Sequence, residues 1–277
     1  GIIVVVLLSW IDQVSKLGRI KISIDLVEHA LLDSIRLRAQ HPCLSCRPYI
    51  VHSIEPKAAT SVFIDRVGFV QYIDLFALDE LAQKKEVSFI INANPGTFND
   101  FTEPMVWSEQ ELDDETINQI EDHFVIADRR TFSQDPRYGF VVLTEIGLRA
   151  MSPGINDPGT AIDVLGAQLR AIRLWVTTTQ QAQSKDEKPT ELKYKRLYMS
   201  PIQGEDVLED MFAQLVIDAS NNQIVATRLR KVLTAIQHYD SALFSPGAQL
   251  WLDMLDARLA QHFAQPQRER IMGLSPK

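Results

Sequence analysis

Cys43 and Cys46 are the two cysteines of the chain, spaced Cys-x-x-Cys, with His41 and His52 close by in sequence. Four such side chains could close a tetrahedral zinc site, and the thiol pair alone could run dithiol–disulfide chemistry. Against both readings, Pro42 and Pro48 place the pair in a loop, no second paired motif occurs, and no βαβ pattern follows. Reduced loop thiols are the simplest reading. No cofactor is therefore expected, and Cys43 and Cys46 stand as the metal candidates. His29, His123, His238 and His262 are scattered without ligand spacing.

A second constellation is Arg129-Arg130-Thr131, followed by Gln134-Asp135 and Arg137. Guanidinium forks suit carboxylates and phosphates. The functional reading is an anion pocket between a β module and a helical bundle. The structural reading is that Arg130 and Asp135 tie this loop to Glu145 or to the Asn156-Asp157 corner. That corner belongs to the most distinctive stretch of the chain, Arg149-Ala-Met-Ser-Pro-Gly-Ile-Asn-Asp-Pro-Gly-Thr-Ala161. Ser152-Pro153-Gly154 should stop one helix, with Gly154 tolerating positive φ. Asp157 should cap the next, with Pro158 at its first position. Arg130, Thr131, Gln134, Asp135, Arg149, Asn156 and Asp157 form the candidate ligand site, and no catalytic residue is assigned. Ser152 lacks a nucleophile elbow, and no Walker loop or dinucleotide fingerprint occurs.

The surrounding elements must hold these groups. The chain has 277 residues, enough for one large domain or two ordinary ones. With 28 basic and 36 acidic residues its net charge is −8, which argues against a nucleic-acid partner. Two cysteines are too few for a disulfide scaffold.

Residues 1–11 are strongly apolar, but a span needs roughly 20 such residues. No basic leader region precedes them and no Met starts them, so we read them as the last turns of a transmembrane helix truncated on its N-terminal side. Lys16, Arg19 and Lys21 follow and favour the cytoplasmic side. Ile20, Ile24, Val27, Leu31 and Ile35 then mark one helical face. Asp25 and Glu28 make a capping box, and the helix should end near His41-Pro42. If the chain forms a homo-oligomer, the Ile20/Ile24/Val27/Leu31 stripe is the expected surface for self-association or for membrane-proximal packing.

Residues 61–65, 68–73 and 86–91 read as strands, with a short helix over 74–82, a turn at Asn94-Pro95-Gly96 and a further strand near Trp107. Ser108 with Glu111 predicts a helix running to about Phe124. The acidic residues 109–115 read as a solvated helix start, since calcium-loop spacing is absent. Tyr138–Met151 is apolar almost all round and should be central in its domain. Further helices are predicted over 157–175, 205–219, 223–239 and 249–263, with a mobile polar loop at about 177–195. The expected fold is α+β: a transmembrane end and membrane-proximal helix (1–56), a small β module with a helical insertion (57–107), and a C-terminal helical bundle (108–277).

Four blocks in order, Gly68–Asp74, Pro95–Phe98, Arg130–Asp135 and Arg149–Ala161, resemble the bacterial family of predicted membrane proteins called domain of unknown function 2254. The resemblance covers most of the chain, and the last block is the specific one. The chain departs from the family pattern at Phe69 (usually Tyr), at Gly159 (usually bulky) and near Asp12-Gln13 (usually His). The resemblance implies N-terminal transmembrane helices followed by this region on the cytoplasmic side of a bacterial inner membrane. It implies no particular activity. The expected role is assembly, regulation or ligand sensing for the membrane part, and the alternative is an enzyme with its anion site at the junction named above.

Overall fold

A computed structural model of the chain describes residues 2–49, 59–184, 192–239 and 241–273, with side chains described outside 7–19 and 183–184. In chain order, α1 (Ile2–Gln40) leads to β1 (Cys46–Pro48), β2 (Thr60–Val62), β3 (Gly68–Ile73) and α2 (Leu75–Lys84). Next come β4 (Phe89–Ile91), β5 (Phe98–Asn99), β6 (Val106–Ser108), α3 (Asp114–Asp122) and β7 (Phe124–Ala127). Then follow α4 (Pro136–Met151), α5 (Pro158–Ser184) and β8 (Tyr194–Met199). The chain closes with α6 (Gly204–Phe212), α7 (Leu215–Ala219), α8 (Gln223–Gln237), α9 (Ser245–His262) and α10 (Gln265–Met272). The fold is α+β, as the sequence predicts. It divides into a helical unit (Gly1–Leu32, Gly139–Leu174 and Gly204–Lys277) and a sheet unit (Asp33–Tyr138 and Trp175–Gln203).

In the helical unit, α8 shows how the sequence specifies an element. Asn222 caps it by accepting from the amides of Ile224 and Val225 at 3.1 and 3.2 Å. Val225, Leu229, Val232, Leu233 and Ile236 then recur at helical spacing and are buried. This face packs on α9, which buries Trp251, Leu252, Leu255 and Leu259. Of the stripe on α1 expected to pack against a partner or near the membrane, Ile24 and Leu31 are core, while Ile20 and Val27 are half-buried. Leu31 lies directly over Gly139 of α4, where an added Cβ would come within 2.7 Å of the Leu31 Cβ. Among the described residues, the exposed large apolar side chains of α1 in this unit are Ile22, Leu26 and the run Ile2–Val6. The capping box at Asp25 does not operate, because α1 is already helical from Ile2. Buried polar groups link three helices: Gln168 donates to the Thr144 hydroxyl (2.9 Å), and Thr144 to the Met211 carbonyl (3.4 Å).

The sheet unit holds a five-stranded sheet in the order β1-β8-β4-β6-β2 and a three-stranded sheet β5-β3-β7. β8 runs parallel to both β1 and β4, while β6 is antiparallel to β4 and β2. Phe89, Ile90 and Ile91 of β4 are all buried, as expected of an interior strand covered on both faces. Leu78, Phe89, Val106, Phe124 and Leu197 anchor the core. Buried Asn99 donates to the carbonyls of Ile64 and Arg66, pinning an irregular segment.

Several expectations change here. The segment 177–195 is helix through Ser184 and strand from Tyr194, and 185–191 lie outside the described residues. Strand β8 was hidden by its charged start, Tyr194-Lys-Arg, and the sheet unit extends well beyond 57–107. Ser108 ends a strand and is buried. The helix after it starts at Asp114, capped by Asp113 through the Thr116 amide (2.8 Å). The segment 205–219 forms two helices, α6 and α7.

Because Leu31 is wholly buried, Leu31→Ala should lower unfolding free energy by about 3 kcal/mol in urea titrations. A change near zero would return the stripe to the surface.

Candidate functional site

Asp135 organises the best-defined polar cluster of the sheet unit. Arg130 grips it with two parallel bonds, Nε to Oδ2 at 2.7 Å and Nη2 to Oδ1 at 3.0 Å. The side chains are 15% and 2% exposed, so this pair is largely desolvated. Asp135 also accepts from the Tyr138 amide (3.2 Å), which caps the start of α4. The Arg130 guanidinium lies over the Tyr138 ring at 5.6 Å, and Phe132 packs against that ring. Burial pushes the Asp135 carboxyl up from its ordinary range, and Arg130's hydrogen bonds and charge pull it back down. Gly96 seals the pair from the other side. Its φ is +96°, and a Cβ there would sit 2.4 Å from Asp135 Oδ2. Gln134 accepts from the Ile73 amide (3.2 Å). Thr131, half-buried, takes no part in these bonds.

Arg38 is the group that sequence reasoning missed. It is 2% exposed, and its Nη2 donates to Asn94 Oδ1. Asn94 in turn donates to the Ser200 carbonyl (3.1 Å). Arg38 Nε and Nη1 are buried without a hydrogen-bond partner. Burial pulls the guanidinium down to about 10, opposed by the nearby Cys43, Asp135 and Cys46 groups. The available signal was positional: Leu31, Ile35 and Arg38 fall on one face of α1, whose first two members are wholly buried.

The Cys-x-x-Cys segment is a tight turn. Cys46 N donates to Cys43 O (2.9 Å), and both intervening residues have positive φ, Leu44 at 52° and Ser45 at 68°. That is the pattern of a type I′ turn, unusual for a leucine. Both cysteines are free and buried. Burial raises the Cys43 thiol, and it raises Cys46 to about 12, with Cys43 and Asp79 adding to the effect. Neither thiol is poised as a nucleophile. His41 Nδ1 lies 3.1 Å from the Ser45 hydroxyl, and His52 falls outside the described residues. Among the described residues, no three His, Cys, Asp or Glu side chains gather as a metal site.

The remaining candidates sit in the helical unit. Asp157 accepts from the Thr160 amide (3.2 Å) and hydroxyl (2.7 Å), so it is the cap of α5, with Pro158 as the first helical residue. The left-handed residue of the corner is Asn156 (φ 48°), not Gly154. Asparagine tolerates that region, and the Asn156 amide closes onto Ser152 O at 2.9 Å. Arg149 is exposed, and its carbonyl accepts from the Ser152 hydroxyl (2.7 Å). The seven candidates thus fall into two groups: Arg130, Thr131, Gln134 and Asp135 in the sheet unit, where all but Thr131 have a local structural duty, and Arg149, Asn156 and Asp157 in the helical one.

The chain belongs to the family described as predicted membrane protein (DUF2254), whose model matches residues 1–235. Uncharacterized proteins of Mycobacterium bovis and of two Mycobacterium tuberculosis strains are each 49% identical to it over 43 residues. That stretch is 16% of this chain and 8% of each relative. No solved structure matches the chain.

Two outcomes follow. Asp135→Leu or Arg130→Met alone should each cost about 3 kcal/mol, and the double variant clearly less than their sum, in a urea double-mutant cycle. Additive losses would remove the pair from its structural role. In the native protein both thiols should react slowly with an aromatic disulfide reagent at pH 8 and rapidly once denaturant is added.

Proposed function

We propose that this chain is a water-facing part of a bacterial inner-membrane protein, on the cytoplasmic side, serving assembly, regulation or ligand sensing for the membrane part. The observation that carries this is the start of α1. Ile2, Ile3, Val4, Val5 and Val6 are consecutive and lie between 58% and 84% exposed. Covering such a helical run with lipid removes apolar area from water at about 25 cal/mol per Å². Family membership supports the same occupant. Lys16, Arg19 and Lys21 follow in sequence on the same helix, a basic flank suited to anionic headgroups and to the cytoplasmic face. Among the described residues, no helix is long and apolar enough to cross a membrane; the proposed contact is made by the apolar run Ile2–Val6 of α1.

The test is flotation with vesicles containing phosphatidylglycerol. The chain should rise with the lipid, and Ile3→Lys combined with Val5→Lys should leave it at the bottom of the gradient. Orientation is read in cells from protease protection of a C-terminal tag in spheroplasts, where protection is expected. No flotation, or flotation indifferent to the two lysines, overturns the reading.

A further inference from the structure

Two cavities open side by side on the helical unit, with volumes of about 500 and 350 Å³. They share Ile162 of α5 and Arg228 of α8. The larger is lined on its polar side by Gln223, Thr227, Arg228 and Lys231, and no carboxylate lines it. These four residues lie on the face of α8 opposite Val225, Leu229 and Val232, so the capping and core pattern of that helix presents them together. The smaller cavity adds Lys21, Asp25, Asp163 and Arg170.

The charges are arranged unequally. Arg170 is already engaged, holding Glu28 with two bonds of 2.6 Å. Lys21, Arg228 and Lys231 make no ion pair among the described residues. Unpaired cations gathered at a cavity are notable in a chain of net charge −8, because they do not simply follow from a basic surface. Gly166, within α5, lines the smaller cavity. A Cβ there would meet only the Arg170 Nη1, at 3.4 Å, so no close packing demands glycine. A helix-interior glycine is unfavourable relative to alanine, and at this place its effect is to keep the cavity open.

We propose that the paired cavity binds a phosphate ester whose organic part carries hydroxyl or amine donors. The phosphate would lie against Arg228 and Lys231, with the Gln223 side-chain amide as a further donor; the Thr227 hydroxyl already donates to the Gln223 carbonyl (2.7 Å). Asp25 and Asp163, across the shared wall, would accept from the donors of the organic part. Either a free metabolite or a lipid headgroup carries this chemistry. The proposal stands apart from the membrane reading of α1, since none of its residues belongs to the apolar run.

The test is calorimetric titration of the whole chain with glycerol 3-phosphate, inorganic phosphate and glycerol, beside flotation with phosphatidylcholine vesicles with and without phosphatidylglycerol. A free ligand predicts saturable binding of glycerol 3-phosphate, tighter than phosphate, with none for glycerol. A headgroup predicts flotation that needs phosphatidylglycerol and is lost in the variants below. Arg228→Gln and Lys231→Gln should each weaken whichever binding is seen by about 10-fold or more. Both positions are exposed, so these variants should fold. Gly166→Leu should fill the smaller cavity and abolish binding with no fall in thermal midpoint. The proposal is overturned by absence of saturable binding in both arms, or by binding that survives all three substitutions. Flotation that depends on Ile3 and Val5 but not on Arg228, together with no saturable binding of glycerol 3-phosphate, would overturn this site while leaving the membrane reading intact.

Discussion

A carboxylate shut away from water must find every one of its partners inside the protein, and Asp135 shows how much structure that demands. Two donors come from Arg130 and a third from the first turn of α4. Gly96 has to be glycine in a left-handed backbone so that the carboxylate can approach the chain there. Arg38, buried and donating to Asn94, draws part of its electrostatic support from the same group. Four separated parts of the sequence therefore depend on one side chain. Removing a partner from such a cluster costs more than the cluster contributes when complete, because an uncompensated charge is left behind. This accounts for a concentration of polar residues that looks like chemistry in the sequence and behaves as architecture in the fold.

The Ser152–Thr160 corner makes the same point in the helical unit. Asp157 accepts from the Thr160 hydroxyl and from the Thr160 amide in the first turn of α5, while Asn156 takes the left-handed turn. The most distinctive residues of the chain are thus spent on entering a helix at a defined place. That placement matters further along. Ile162, Asp163, Gly166 and Arg170 follow on α5, and together with α1 and α8 they shape the cavities where unpaired cations collect.

Much of the organisation was legible residue by residue. The helix over 75–84 with its Asp74 cap, the strand at 68–73, the Asp157-Pro158 helix start and the capped α8 all rest on local hydrogen bonding and periodicity. Errors arose where local signals are degenerate. Ser108-x-x-Glu111 satisfies a capping box on paper, but Ser108 pairs with Thr60 and Phe89 as a strand residue, and the real cap is Asp113. Charged β8 looks like a loop until β1 and β4 flank it, and a parallel strand between two others leaves no trace in its own sequence of who its neighbours are.

Composition and local pattern determined the α+β class, the apolar opening of α1, the main caps and the family, because each depends on neighbours a few residues apart. Which apolar stripe would be core was settled only by packing: Leu31 faces Gly139, over a hundred positions away, and so cannot serve a partner. The fate of Arg38, Asp135 and the two thiols was likewise tertiary. Whether an ionisable group is paired, desolvated or free to act depends on what surrounds it in space, and a one-dimensional string does not carry that environment.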